Sequence, residues 1–98
     1  KIPASCIIKA AKQGRIETIK FLLDKNVDPS EIDSEGLDAI YYSVVNKHWK
    51  TAIELVSRGC VINRIYPTGE SIIHKCAESE SSLQLMELFL TTHHQLHH

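Results

Sequence analysis

The chain has 98 residues and a formal net charge of -1, from 11 Lys and Arg against 12 Asp and Glu. A chain of this length forms one compact domain with little scaffold around a catalytic cleft. Hydrophobic residues make up 43% and charged residues 23%, as in an ordinary soluble domain, and no apolar run is long enough to cross a bilayer. Because the basic excess of a nucleic-acid binder is missing, we expect neither nucleic-acid binding nor membrane insertion.

The number and spacing of the cysteines indicate the cellular compartment. Cys6, Cys60 and Cys76 are odd in number, far apart and never spaced as a C-x-x-C pair. Residues 1–3 lead almost at once into an amphipathic stretch, which is unlike a signal peptide. We therefore expect a reducing environment and a cytoplasmic or nuclear location.

The first predicted elements are two short helices. Ser5 is a helix-capping residue type, and a helix is predicted after it at residues 6–12. A second helix is predicted at residues 16–25, because isoleucine and leucine recur there at three- and four-residue spacings. Helices this short are marginal alone in water, so they must be stabilised by packing on neighbouring helices.

Each of the next two segments repeats this arrangement. Helices are predicted at residues 39–46 and 72–79, after Asp38 and Ser71 as caps, and second helices at residues 49–58 and 83–91. Loops occupy residues 26–36 and 59–69, and each ends in a four-residue turn. The first turn has Asp first and Gly fourth, and the second has Pro second and Gly fourth, both typical of type I turns.

The elements recur with a period of 33 residues. Gly36 and Gly69 have this spacing, and it also relates apolar and small residues in all three segments. The match slips by one residue after Ala77, which indicates one inserted residue near residues 79–82, in a loop. We predict a single domain, residues 1–98, with units at about 4–36, 37–69 and 70–92 and a polar, His-rich tail at 93–98.

This pattern resembles the ankyrin repeat family, whose repeat of 33 residues opens its first helix with T-P-L-H-x-A. Residues 38–43 and 71–76 occupy that motif, although Pro is replaced in both and His is present only at His74. Residues 10–14, Ala-Ala-Lys-Gln-Gly, and 26–29, Asn-Val-Asp-Pro, are more typical. The resemblance implies an all-α ankyrin-repeat solenoid of three helix-turn-helix units joined by β-hairpin-like loops.

The resemblance also implies a protein-protein interaction module that acts as a scaffold or adaptor through a concave face, with another protein or a peptide as its partner. By position, the partner-binding residues are Lys12, Gln13, Ile32, Ser34, Glu35, Leu37, Val45, Asn46, Ile65, Pro67, Thr68, Glu70, Glu78 and Ser79. The apolar members, with Tyr66, are expected to be exposed as in an interface core.

Two alternatives to this interpretation stay open. The hairpin loops could pack some of these apolar residues against each other. The repeats could also be a structural spacer that packs against other parts of a larger multidomain signalling or trafficking protein. A recognition module would leave the apolar residues open until a partner binds, whereas a spacer would keep them covered.

Residues that could carry chemistry have structural explanations. Cys76 and His74 are two apart on a helix and face different directions, so we predict a packing thiol at Cys76 and no nucleophile. In the tail, His93 and His97 have the spacing to chelate a metal, but a solvated terminus or vector-derived residues explain the cluster better. We predict no enzyme activity, cofactor or metal site in this segment.

Aromatic residues allow two interpretations. Trp49 stands where the family has Leu, and Tyr41 and Tyr42 lie on the middle first helix. Any of them could be a binding hot spot. We favour packing between units for Trp49 and one tyrosine.

The amino end of the array suggests a longer chain. A terminal helix pair exposes its hydrophobic flank unless a polar capping unit covers it. Ile7, Ile8, Ile16 and Ile19 of the first unit have no preceding unit, so we expect the segment to belong to a longer protein.

Overall fold

Five helices and their connecting loops form most of the described chain. The computed structural model describes residues 2–78, 85, 87, 88, 90 and 91. In order, the helices are α1 Ser5–Gln13, α2 Ile16–Asp24, α3 Ala39–Val45, α4 Trp49–Ser57 and α5 Ile72–Glu78. The fold is all-α, since these residues contain no strand, and none of the helices within them is long and apolar enough to span a membrane.

The predicted helices are confirmed wherever the structure describes them. The ends of α1 to α5 differ from the predicted bounds by one residue at most. The predicted last helix is helical at residues 85, 87, 88, 90 and 91. The predicted insertion near residues 79–82, Ser79 of the predicted binding set and the His-rich residues 93–98 lie outside the described part, and the unit boundaries stay a prediction.

The predicted helix caps have different outcomes. The Asp38 carboxylate accepts a hydrogen bond from the backbone N–H of Tyr41 at 3.1 Å, which confirms the cap of α3. Ser71 Oγ lies 3.5 Å from the backbone N of His74 at the start of α5. The cap predicted at Ser5 is wrong: Ala4 already has helical backbone angles, so Ser5 is the first residue of α1 and Ala4 precedes it without a side-chain cap.

The helices pack in pairs around α3. It contacts α1, α4 and α5, while α2 contacts α1 and α4. Small residues at the equivalent positions Ala10, Ser43 and Cys76 are all at most 3% exposed, which lets consecutive first helices approach closely. The burial of Cys76 confirms the predicted packing thiol, and Ser43 Oγ is satisfied by donating to the carbonyl of Ala39 at 3.0 Å.

The amino end is more closed than the sequence suggests. Ile7, Ile8 and Ile19 are buried, and Ile16 is half-buried. The expectation that these four leave a hydrophobic flank open is therefore wrong for Ile7, Ile8 and Ile19. All three belong to the hydrophobic core, and Ile2 packs against the same core.

Candidate functional site

Two hydrogen-bonded loops carry most of the residues predicted to bind a partner. In the first, the N–H of Asp33 donates to the carbonyl of Leu37 at 2.8 Å, and the N–H of Gly36 donates to the carbonyl of Asp33 at 3.0 Å. The second loop, residues 66–70, makes the same two bonds one period later, at 2.8 Å each. These bonds confirm both predicted turns and give the loops a defined backbone.

Three of the predicted apolar residues are exposed on these loops and on the helix beside them. Ile32 is 47% exposed, Val45 44% and Ile65 64%. Ile32 and Ile65 are one period apart, immediately before equivalent turns. The fold therefore presents the same apolar side chain twice, at equivalent positions of successive loops.

Two other predicted exposures are wrong. Leu37 is half-buried and packs against the core, because its backbone closes the first loop and turns its side chain inwards. Tyr66 is 2% exposed: its ring stacks edge-on against Tyr41, with centroids 4.9 Å apart, and its hydroxyl donates to Asp38 Oδ1 at 2.7 Å. Tyr66 therefore joins the second loop to the start of α3 instead of facing a partner.

A buried polar network beneath the loops centres on Asp38, whose side chain is fully buried. Arg64 Nη1 lies 3.3 Å from Asp38 Oδ2, and Arg64 Nη2 donates to the carbonyl of Ser30 at 2.8 Å. Burial raises the pKa of Asp38, although hydrogen bonds from Tyr66 and from the N–H of Tyr41, together with Arg64, oppose the shift. The network connects the first loop, α3 and the second loop.

A second cluster fixes the exposed edge between α1 and α3. Asp33 Oδ1 accepts the backbone N–H of Glu35 at 2.9 Å, and Asp33 Oδ2 accepts the hydroxyl of Tyr42. Lys12 Nζ lies 4.6 Å from the centroid of the Tyr42 ring, in cation–π geometry, and the Lys12 carbonyl accepts Asn46 Nδ2 at 3.3 Å. Lys12 and Asn46, both predicted site residues, are thus brought together.

Asp33 and Tyr42 were not among the predicted site residues. A turn-forming Asp is visible in the sequence, but its bond to a tyrosine on α3 depends on how the loop folds back. Burial, followed by the hydrogen bond to Asp33, raises the pKa of Tyr42. Partial burial raises the pKa of Asp33. The hydrogen bonds from Tyr42 and from the N–H groups of Leu37 and Glu35 lower this pKa by more, so the net shift is downwards.

We expect this lowered pKa to make Asp33 a source of acid sensitivity. Because its folded-state pKa lies below the unfolded one, its contribution to stability is present above about pH 4 and is lost as the pH falls through the folded-state value. Asp33→Asn should therefore lower the free energy of unfolding more at pH 7 than near pH 3, measured by urea denaturation. The exposed Glu31→Gln is the control, and an equal loss for Asp33→Asn at both pH values would contradict this role.

The far end of the predicted surface is charged. Lys75 Nζ lies 3.2 Å from Glu70 Oε1 and 3.9 Å from Glu78 Oε2. The interaction with Glu78, followed by that with Lys75, lowers the pKa of Glu70, and the interaction with Glu70 raises the pKa of Glu78. The structure brings these two predicted residues together through Lys75, which the sequence did not single out.

The remaining predicted residues lie around these clusters. Lys12, Gln13 and Ile32 line a groove of about 1220 Å³ between α1 and the first loop. A Cβ at Gly36 would lie 3.0 Å from Cγ of Pro67, so the two turns are in contact. Ser34, Glu35 and Thr68 are exposed at the turns. The described members of the predicted set, all except Ser79, thus belong to the two loops and the adjoining helix ends.

The two residues that resembled a nucleophile and a base in the sequence differ in exposure. Cys76 is fully buried, whereas His74 is exposed and its Nδ1 lies 3.1 Å from Ser71 Oγ. Within the described residues, no group of three or more His, Cys, Asp or Glu side chains could hold a metal ion. Trp49 is half-buried and packs against the core, as does Tyr41.

Comparison with known families agrees with this architecture. A family model described as ankyrin repeats (many copies) matches residues 7–57, which cover most of α1 and all of α2, α3 and α4. Proteins of this family are generally protein-protein interaction modules and are typically non-catalytic. The period, the paired helices and the match over more than half of the sequence show that the chain belongs to the ankyrin repeat family.

Proposed function

We propose that the chain is a protein-protein interaction module, a scaffold or adaptor that binds a peptide or a domain of another protein. We call the predicted partner-binding residues other than Ser79 the recognition strip. The observation that carries the proposal is the repeated exposure of Ile32 and Ile65 at equivalent positions. Exposed apolar side chains at regular spacing on hydrogen-bonded loops are typical of a binding surface.

Preorganisation supports this proposal. The loops are held by backbone bonds, by the Tyr42 hydroxyl on Asp33 and by the Asp38 network beneath them. A partner would meet side chains whose backbone is already ordered, so less conformational entropy is lost when the complex forms. The strip also carries the acidic residues Glu35, Glu70 and Glu78, and polar residues commonly surround the apolar centre of an interface.

A cytoplasmic or nuclear location fits the proposal. All three cysteines lie in the described part and none forms a disulfide, although Cys60 and Cys76 are buried where oxidation is hindered anyway. The exposed Cys6 thiol is compatible with a reducing compartment.

The test is a charge substitution at both isoleucines of the recognition strip. Ile32→Glu with Ile65→Glu should weaken partner binding by at least about tenfold, because each change places a carboxylate in an apolar contact. Both side chains are exposed, so circular dichroism should show an intact fold. Proteins retained from cell lysate on the immobilised parent and on the variant are compared by mass spectrometry, and affinity is then measured for the retained partner.

The matched control replaces exposed apolar residues outside the strip. Phe21 is 55% exposed and Val61 37%, and Phe21→Glu with Val61→Glu adds the same charge. This control should retain the partner that the strip variant loses. Loss by both variants, or by neither, would remove the strip as the binding surface, and a folded parent that retains no selective partner would favour the structural spacer.

A further inference from the structure

A second groove lies away from the recognition strip, between the start of α2 and the start of α4. It has a volume of about 500 Å³, and none of its lining residues belongs to the strip. Its apolar lining comes from Ile16, Trp49 and Ile53, all half-buried. Trp49 and Ile53 also pack against the core, so their positions are fixed while part of each side chain faces the groove.

The charged lining of this groove is entirely basic. Lys47 and Lys50 are exposed, His48 is half-buried, and no carboxylate is among the lining residues. The ring of His48 lies against Gly14: a Cβ built there would be 2.5 Å from Nδ1. Because Gly14 has no side chain, the imidazole can pack across the gap between the two helix pairs.

Carboxylates on the neighbouring helices are engaged elsewhere. Glu17 of α2 lies 3.8 Å from Lys20, and Asp24 of α2 lies 3.0 Å from Arg58. The single carboxylate of α4, Glu54, also pairs with Arg58, at 2.9 Å. Within the described part of the chain, Lys47 and Lys50 therefore have no ion-pair partner, although the whole chain carries a net negative charge.

Lys47 also occupies an unfavourable backbone conformation. Its φ is 62°, and it stands one period after Gly14, whose φ is 68°. The left-handed region suits glycine and disfavours residues with a Cβ. Lys47 thus lines the groove at a position where the first unit has glycine. Backbone strain at a residue with positive φ is often found at functional positions.

We infer that this groove binds an acidic peptide segment, with carboxylates of the peptide on Lys47 and Lys50 and an apolar side chain on Trp49. Charge complementarity selects the acidic peptide, because the lining supplies positive charge without a competing carboxylate. Tryptophan supplies a rigid apolar contact. Two lysines on a chain of negative net charge are too few to hold a nucleic-acid backbone.

Trp49 provides a direct reporter, because it is the one tryptophan of the chain. The probe is a capped synthetic peptide that alternates glutamate with leucine, titrated into the whole chain while tryptophan fluorescence is recorded. The expected result is a saturable fluorescence change that weakens as salt is added. No saturable change, an equal change with a peptide of glutamine and leucine, or tighter binding of single-stranded oligothymidine would overturn the inference.

The variants separate a binding role from a structural one. Lys47→Gly removes the charge and relieves the left-handed backbone, so thermal stability should be unchanged or higher while peptide affinity falls. In the double variant Lys47→Gly with Lys50→Gln, the peptide affinity should fall about tenfold, as expected for the loss of two exposed charge contacts. An unchanged affinity in this pair would overturn the inference.

The matched control is Asn26→Gly. Asn26 and Lys47 are the two non-glycine residues with positive φ in the described chain, and Asn26 does not line this groove. Asn26→Gly should relieve the same backbone strain and leave peptide affinity unchanged. A loss of affinity as large as that of Lys47→Gly would show that the backbone change, and not the lost charge, is responsible.

Discussion

Asp38→Ala is expected to lower the free energy of unfolding by about 3–5 kcal/mol, since it removes one partner of a buried ion pair. The carboxylate accepts the hydroxyl of Tyr66 and the N–H of Tyr41, and it faces Arg64. Alanine would leave the Tyr66 hydroxyl unsatisfied in the interior and Arg64 uncompensated in a half-buried position. Urea denaturation followed by circular dichroism measures the loss.

Asp38→Asn is the conservative comparison. It keeps a side-chain oxygen for Tyr41 and Tyr66 and is expected to lose only about 1–2 kcal/mol, the cost of exchanging a charged for a neutral acceptor. Burial raises the pKa of Asp38. The protonated carboxyl group therefore stabilises the fold below the unfolded-state pKa, and this stabilisation is lost as the pH rises through the folded-state pKa. Asp38→Ala within about 1 kcal/mol of the parent would contradict the buried network.

Leu55→Ala should lower the free energy of unfolding by about 2–5 kcal/mol, as for other large-to-small substitutions in a core. Leu55 is fully buried on α4, one period after Leu22, which is 5% exposed. The expected loss combines the apolar surface no longer buried with the cavity left between α4 and its neighbours. Thermal and urea unfolding measure it.

The control for Leu55→Ala is Val61→Ala, because Val61 is an exposed aliphatic residue. Its expected effect is within about 0.5 kcal/mol of the parent. If Leu55→Ala melted like the parent, the alignment of α2 with α4 by the period would be wrong, since that alignment places Leu55 in the core.

The fold could be predicted from the sequence because the period constrains every unit at once. An apolar residue such as Ile40 has an equivalent in each unit, so the same helical pattern occurs three times in the sequence. The bounds of α1 to α5 were therefore predicted to within one residue. The Ser5 cap was wrong because the preceding Ala4 is already helical, which depends on the local backbone and not on residue type.

The surface was harder to predict, because the period gives a position and not a side-chain direction within a loop. Ile32 and Ile65 are exposed as expected, but Tyr66, next to Ile65, is buried by its bond to Asp38. That partner lies 28 residues away along the chain, so no local pattern reveals it. Leu37 is likewise half-buried because its loop closes on Asp33.

The groove beside Trp49 could not be predicted from the sequence for a different reason. Lys47 and Lys50 stand out only after the ion pairs of Glu17, Glu54 and Asp24 are known, since in the sequence those carboxylates could equally pair with either lysine. For Trp49 the sequence favoured packing and left a binding role open, and the half-buried side chain packs against the core while it also lines the groove.

Hydrogen exchange measured on the chain alone and in complex with its retained partner tests the recognition strip most directly. Binding on the strip should slow exchange in the two loops, around residues 32–37 and 65–70, and leave α2 unchanged. Slowed exchange confined to α2 and α4, with both loops unaffected, would show that the partner binds elsewhere and would contradict the proposed recognition strip.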